Sequence, residues 1–479
     1  MVLSALKLQE VTSVDVEMRE FLEPGIRTPS RMRAVELNAE YLGVSSLQMM
    51  ESAGKALADI IRHHAPDNVL ILCGKGNNGG DGMVAARHVQ DLEPVIVYHD
   101  DTGMSRQTAC QLSVLKHCSV TVFPVRCRDD VIALNTAFSA PGLILDAMLG
   151  TGSSGNPREP IKTMVDCANS SSTTIISADV PTPGIKASEI IAFHRPKVSG
   201  SHIVDIGIPL EAECFVGPGD LTVLKKKDPG AHKGAGGEVL IVGGGPYQGA
   251  PYLAGLGALR AGADIARIAS PVFEPVPDLI YEFLPGTIVG KEHVDRILGL
   301  AEKADVVLVG NGLGDQSHDV VTSIAHSCKK VVFDADALRL PLPVAEESIY
   351  TPHAGEFTRI TGQAPEDGLV ARARTVKNAA KYGTILLKGP VDIISDGDRV
   401  RFNRSGSPLM TVGGTGDVLA GVTAALFCNN PAFDAACSAA YVNGKAGEAV
   451  GKHIGGGMIP RDLADRIPLE LFKGGNSNG

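Results

Sequence analysis

The chain has no stretch of about 18 uninterrupted apolar residues in its 479, so nothing in it reads as a membrane span. The first segment shows no secretory pattern, because Glu10, Asp15, Glu17, Arg19 and Glu20 break any apolar core. No C-x-x-C pair occurs among the nine cysteines. An odd cysteine count in a long chain reads as reduced, intracellular thiols, and the protein is expected to be cytoplasmic. An excess of basic charge is also missing. The formal charge is −10, which argues against a strongly basic nucleic-acid surface, so no nucleic-acid partner and no membrane are expected. Disorder is excluded by a 44% hydrophobic content. Aromatics are scarce at 4% while glycine is plentiful at 55 residues, a balance that fits α/β architecture.

Apolar runs alternate with helical patterns. Asn68–Cys73, Pro94–Tyr98, Leu143–Asp146 and Thr174–Asp179 read as strands, several ending in an acidic residue. Arg31–His64 has helical spacing, with Met49, Met50, Ala53, Ala56, Leu57 and Ile60 pointing inward. A second series starts at Glu238–Val242 and continues through Asp305–Val309, Lys330–Asp334 and Thr384–Lys388. Strands alternating with helices predict parallel sheets covered on both faces. The composition turns basic and turn-rich around 216–236, so a boundary is expected near 225. The divisions are an N-terminal extension (1–28), a first domain (29–224), a solvated linker (225–232) and a second domain (233–479).

In the first domain, Cys73-Gly74-Lys75-Gly76-Asn77-Asn78-Gly79-Gly80-Asp81-Gly82 lies between a strand and a helix. Glycines there let backbone approach an anion, and two asparagines add donors and acceptors. The plainer reading is a tight turn requiring positive φ. Asp146 and Asp179 end strands at the same expected edge. Oxygen-rich sets suit hard cations, and Asn78, Asp146 and an oxygen near Thr182 could form one; singly, each aspartate reads as a helix cap or turn residue.

The second domain carries Met410-Thr411-Val412-Gly413-Gly414-Thr415-Gly416-Asp417, followed by an apolar helical run. Glycine-turn amides at a helix start can neutralise phosphate charge. An aspartate at that junction can take a proton from a hydroxyl. Together they point to phosphoryl transfer from a nucleotide to an alcohol. No Walker A pattern is present, so this is not a P-loop enzyme. Further loops should converge on the same sheet edge: Gly243–Pro251, Gly310–Gly314, Asp334–Leu338, Thr351–Phe357 and Lys388-Gly389. Asp334 and Asp336 read equally well as strand-end caps, and His353 alone as an ordinary loop histidine.

Taken in order, these motifs resemble the bifunctional NAD(P)H-hydrate repair enzymes over about residues 30 to 470. The resemblance implies a Rossmann-like three-layer NAD(P)H-hydrate epimerase domain and a ribokinase-like α/β dehydratase domain dependent on ADP or ATP. Reduced nicotinamide cofactors that gain water across a ring double bond become inactive hydrates. The first half would interconvert their R and S forms. The second would phosphorylate the S form, after which phosphate leaves and NADH or NADPH returns, with AMP as co-product from ADP. The implied partners are NADH-hydrate, NADPH-hydrate and ADP or ATP, with a homo-oligomer expected. The implied cofactors are K⁺ in the epimerase half and Mg²⁺ with the nucleotide.

Residue by residue, the resemblance implies hydrate contacts at Asn77, Asn78, Gly79, Gly80 and Asp81, at Gly150, Thr151 and Gly152 of the 150–156 loop, and at Asp179. It implies potassium ligation by Asn78, Asp146 and Thr182, with Asp146 also a catalytic candidate. In the second half it implies hydrate contacts at Ala250, Gly312 and His353. Nucleotide contacts fall on Lys388, Gly389, Pro390, Val391 and Asp392 and on Gly414, Thr415 and Gly416; Asp417 matches the catalytic aspartate. Two departures stand out. The usual Asp-Ile-Pro-Ser-Gly is Asp179-Val180-Pro181-Thr182-Pro183-Gly184, which bears on potassium binding. The usual Gly-Pro-Gly-Leu-Gly is Gly310-Asn311-Gly312-Leu313-Gly314, and little change is expected from it. The alternatives are a ribokinase-like kinase for a vitamin precursor or sugar with an N-terminal ligand-binding domain, and an N-terminal half that survives only as a scaffold.

Overall fold

The computed structural model describes residues 17–152, 155–225, 227, 230 and 234–472. Pro24–Ala212 forms one compact unit; the chain from Glu213 onward, together with the segment ending at Glu23, forms the other. The chain thus changes unit before the composition change near 225. Most of the expected 225–232 linker, the extension up to residue 16 and Ser153-Ser154 of the 150–156 loop lie outside the described residues. All nine cysteines are free thiols.

The first unit is built on a seven-stranded sheet, all of whose pairings are parallel. Its strands are β1 (Val69–Cys73), β2 (Val95–His99), β3 (Thr121–Val125), β4 (Leu143–Ala147), β5 (Ile175–Ala178), β6 (Glu189–Phe193) and β7 (His202–Val204), in the order β3-β2-β1-β4-β5-β6-β7. Successive strand residues point to opposite faces. Ile71, Leu145 and Ile176 therefore join one core with Leu57, Ile61 and Met83, while Leu72, Ile144 and Ile175 join another with Phe138, Met164 and Val165. That double burial explains the uninterrupted apolar runs.

The helix expected over Arg31–His64 is in fact two, Pro29–Tyr41 and Ser46–His63. Gly43 breaks it at φ +102°, and Ser45 caps the second helix, its Oγ accepting from Gln48 N while Gln48 Oε1 accepts from Ser45 N. The inward register shifts accordingly: Ala58 and Ile61 are buried, whereas Ala56 and Ile60 are only half-buried.

The second unit holds a nine-stranded sheet. Its strands are β8 (Glu238–Val242), β9 (Ile265–Ser270), β10 (Ile280–Phe283), β11 (Val306–Val309), β12 (Lys330–Phe333), β13 (Glu347–Tyr350), β14 (Thr384–Leu387), β15 (Asp392–Ser395) and β16 (Val400–Asn403). The order is β10-β9-β8-β11-β12-β13-β14-β15-β16, parallel up to β14 and antiparallel for the last two pairings. One face packs on helices Ala250–Arg260, Thr415–Asn429 and Ala432–Ile454. Two of these helices meet at near-backbone distance. A Cβ on Gly421 would fall 1.9 Å from Ala254 O, and one on Gly257 2.5 Å from Val418 O. Glycine is required at both contacts, and this close approach fixes where the helix bearing Asp417 begins. Among the described residues no helix is long and apolar enough to cross a membrane.

Candidate active sites

In the first unit the Asn-Asn-Gly-Gly-Asp-Gly stretch is not a free loop. Asn77 starts the helix Asn77–His88, so these residues are its first turn and a half. None of its glycines, nor Gly74 or Gly76, has positive φ. They are needed for proximity instead. A Cβ on Gly74 would lie 1.7 Å from Met148 O, and one on Gly79 would lie 1.9 Å from Gly74 O. Helix and strand ends are thereby drawn together, and the helix's first amides, which have no intrahelical acceptor, face the carboxyl edge of the sheet.

Asn78 Nδ2 donates to Leu149 O and Ala178 O, both at 3.1 Å, tying the ends of β4 and β5. Its Oδ1 is buried without a hydrogen-bond partner. Gly150 sits over this residue, since a Cβ there would meet Asn78 Cβ at 3.4 Å. Thr151 is half-buried and Gly152 exposed.

Asp146 is fully buried. Its Oδ2 accepts from Ser177 Oγ (2.8 Å) and Thr182 N (2.9 Å); its Oδ1 accepts from Thr182 Oγ (2.7 Å) and Met148 N (3.2 Å). Four donors fill a carboxylate's acceptor sites. Sealed from solvent and fully hydrogen-bonded, Asp146 ties the ends of β4 and β5 to the Thr182 segment. Thr182 shares that role, its Oγ also accepting from Leu149 N and its carbonyl from Ile185 N. The Pro183 substitution leaves this hub intact.

Asp179 adopts φ +64°, unusual for a non-glycine residue. It is ion-paired with Lys197, a buried lysine that also donates to Phe193 O at 2.6 Å. Asp81 is buried and its carboxyl is held well above the ordinary range, first by burial and then by the charges of Asp179 and Glu36. Glu36 is pushed up in the same way, mainly by burial. Lys197 and Glu36 belong to no motif, and nothing in the sequence marked them.

In the second unit the parallel strands deliver their loops to one edge. Gly312 has φ +74°, and a Cβ on it would meet Tyr247 O at 2.3 Å and Ala250 Cβ at 3.3 Å, so two expected hydrate contacts are neighbours. His353 caps the helix Ala354–Thr361: its Nδ1 accepts from Gly355 N and Glu356 N, and its backbone N donates to Glu356 Oε2 at 2.8 Å. Its ring remains exposed, and its backbone bridges to Lys388.

Lys388 Nζ donates to Asp334 Oδ1 at 3.0 Å and lies 3.9 Å from Glu356 Oε2. Those carboxylates hold its pKa above the ordinary lysine value against the opposing effect of burial. Gly389, Pro390, Val391 and Asp392 form the turn between β14 and β15, where Gly389 N donates to Asp392 Oδ1. Burial lifts Asp392 to about 6.

Gly414, at φ +98°, precedes the helix Thr415–Asn429. Thr415 closes its own turn, its Oγ donating to Met410 O and Val412 O, both at 2.9 Å, and its N to Val412 O at 3.3 Å, which leaves the Gly416 amide rather than the Thr415 hydroxyl for a ligand. Gly416 faces Lys388, whose Nζ would lie 3.6 Å from a Cβ at that position. Asp417 is pushed up to about 7, chiefly by burial and then by Asp334. Its Oδ1 accepts from Asn311 Nδ2 at 2.7 Å. The substitution expected to change little thus places a side chain directly on the candidate base. Asp334 is no mere strand-end cap: it joins Asn311, Thr351 and Lys388.

Two α/β units, a Rossmann-like three-layer one and a ribokinase-like one, each with a glycine-rich helix start and buried carboxylates at the carboxyl edge, define a small-molecule enzyme with two sites. Residues 46–211 match the family described as YjeF-related protein N-terminus, and residues 239–469 match NAD(P)H-hydrate dehydratase. The chain is 53% identical over 455 residues to the bifunctional NAD(P)H-hydrate repair enzyme Nnr of Methanospirillum hungatei, covering 95% of each chain. It is 39% identical over 474 residues to the enzyme of the same name from Archaeoglobus fulgidus, covering 92% of this chain and 97% of that one. The chain belongs to the bifunctional NAD(P)H-hydrate repair enzymes. Among solved structures, it is 28% identical to the Bacillus subtilis ADP/ATP-dependent NAD(P)H-hydrate dehydratase co-crystallised with ATP/Mg²⁺, with 53% of this chain and 96% of that one covered at a TM-score of 0.45.

Proposed function

We propose that this chain repairs hydrated nicotinamide cofactors at two sites. The N-terminal unit interconverts the R and S forms of NADH-hydrate and NADPH-hydrate. The C-terminal unit dehydrates the S form using ADP or ATP. The observation that carries the second assignment is Asp417, a carboxylate pushed up to about 7 at a helix start whose amides adjoin Lys388.

Asp417 takes the proton of the hydrate hydroxyl. The freed oxygen attacks the terminal phosphorus of the nucleotide, and AMP (or ADP) departs. Hydroxide, a poor leaving group, has become phosphate. Breaking the C–O bond and losing a proton from the adjacent ring carbon restores the double bond. Gly416 and Lys388 supply positive potential where charge gathers on the phosphoryl oxygens. The 388–392 turn and Gly414–Gly416 hold the nucleotide; Ala250, Gly312 and His353 hold the hydrate. Magnesium bound with the nucleotide would neutralise its phosphates.

In the epimerase unit we assign the hydrate to Asn77–Asp81, Gly150–Gly152 and Asp179. Asn78 Oδ1, a buried oxygen with no donor, suits a hard cation such as potassium. Thr182 and Asp146 are the other residues that would hold it. We also infer a cytoplasmic, homo-oligomeric enzyme.

The test is incubation of the whole chain with mixed R and S hydrates plus ADP or ATP, following the absorbance of the reduced nicotinamide. Full recovery of both forms is expected. Recovery of the S form alone would remove the epimerase assignment and leave the N-terminal unit a scaffold. No recovery, with a stable phosphorylated product from another alcohol, would replace the dehydratase by a kinase.

A further inference from the structure

Asn311 is fully buried immediately beyond β11. Its Nδ2 donates to Asp417 Oδ1 at 2.7 Å and to Asp334 Oδ2 at 3.0 Å. One amide therefore places a hydrogen on each of two carboxylates. The orientation is determined: turning the amide would set Oδ1 against both anions, whereas as it stands Oδ1 is left buried without a partner. One orphaned acceptor costs less than two acceptor–acceptor clashes. The far end of the bridge is anchored, because Asp334 Oδ1 accepts from Thr351 Oγ at 2.7 Å and from Lys388 Nζ at 3.0 Å. Asp417 Oδ2 makes no hydrogen bond within the described residues, so it is the oxygen left to meet a substrate.

We propose that Asn311 is a positioning residue for dehydration, clamping Asp417 to the Asp334–Lys388 pair so that one carboxylate oxygen is held, the other faces the substrate hydroxyl, and the anion is favoured over the acid. The inference rests on the reading of Asp417 as the base. The charged groups facing Asp417 are Asp334 and Asp336 from the segment after β12 and Lys388 after β14, with Glu356 behind Lys388. Burial and the two aspartates favour the protonated acid; Lys388 and the Asn311 amide favour the anion. Lys388 is already engaged with Asp334, which leaves Asn311 as the direct stabilising contact.

The experiment compares the full chain with Asn311→Ala and Asn311→Pro. The Asn311 N–H donates to no backbone carbonyl among the described residues, so proline removes no ladder bond. The reading is the pH dependence of kcat/KM for S-hydrate dehydration with ADP. A lost hydrogen bond to a charged group should move the acid limb up by about one pH unit. Activity then falls roughly tenfold at pH 6 and largely returns by pH 9, while epimerisation is unchanged. An acid limb that stays in place in both variants, whether activity is kept or lost equally at every pH, overturns the proposal. Failure of the unmodified chain to dehydrate the hydrate would instead overturn the functional reading beneath it.

Discussion

Replacing Asp417 by asparagine should trade activity for stability, and both halves of that trade follow from the geometry. The side chains are nearly isosteric, and an asparagine oxygen can still accept from Asn311 Nδ2, which lies 2.7 Å from Asp417 Oδ1. What disappears is the base. Losing a positioned general base costs about 10²- to 10⁴-fold, so dehydration with ADP or ATP should fall by that factor. Stability moves the other way. The carboxyl stands at about 7 in the fold against an ordinary 3.8, so the folded state prefers it protonated. Stability is therefore lost as pH rises from about 4 through about 7, and the loss is complete above that. Its size is at most about 4 kcal/mol at pH 8. Asp417→Asn escapes this penalty. Thermal denaturation of the full chain should show the variant and the parent unfolding together near pH 4, and the variant unfolding at higher temperature at pH 8. Epimerisation, assayed on the same samples, should be unaltered. Near-normal turnover with ADP would refute the assignment of Asp417 as base. A variant less stable than the parent at pH 8 would refute the electrostatic reasoning even if activity were lost.

Three other outcomes are expected. Lys388→Met leaves Asp334 and Glu356, whose side chains are 2% and 8% exposed, without their cation; the chain should lose about 3 kcal/mol or more in denaturant titration near neutral pH, and the KM for ADP should rise. Gly312→Ala forces a side chain into φ +74° and toward Tyr247 O, 2.3 Å away, so kcat/KM for the hydrate should drop while the KM for nucleotide holds; an unchanged hydrate KM would remove Gly312 from the site. Asn78→Ala deletes the one unpartnered buried side-chain oxygen among the described residues of the N-terminal unit, and epimerisation should stop responding to potassium while dehydration continues as before; a retained response would place the cation elsewhere.

Much of the architecture was legible because buried parallel strands must be apolar on both sides. Val69–Cys73, Leu143–Ala147 and Glu238–Val242 announce themselves as short continuous runs. The edge strands were harder: Thr121–Val125 and Ile280–Phe283 are only partly buried and carry no such signal. The break at Gly43 was missed because helical spacing on either side looks continuous, although Ser45 and Gln48 spell a capping box. Glycine-rich turns were visible as motifs, but their cause was not. In the first unit they serve close contact between backbones, such as Gly74 against Met148, a pairing across 74 residues of chain that no local pattern contains.

By itself, the order of residues determined that this is a two-unit α/β protein with a carboxylate beside a glycine turn, because strand burial and helix starts are written in neighbouring residues. Only the folded chain decided which groups each carboxylate meets. It withdrew Asp146 behind four donors, joined Lys197 to Asp179, and brought Asn311 from the end of β11 onto Asp417, 106 positions away. Charges, amides and lone pairs act through distances of a few ångströms, and those distances exist only after distant strands have been laid side by side.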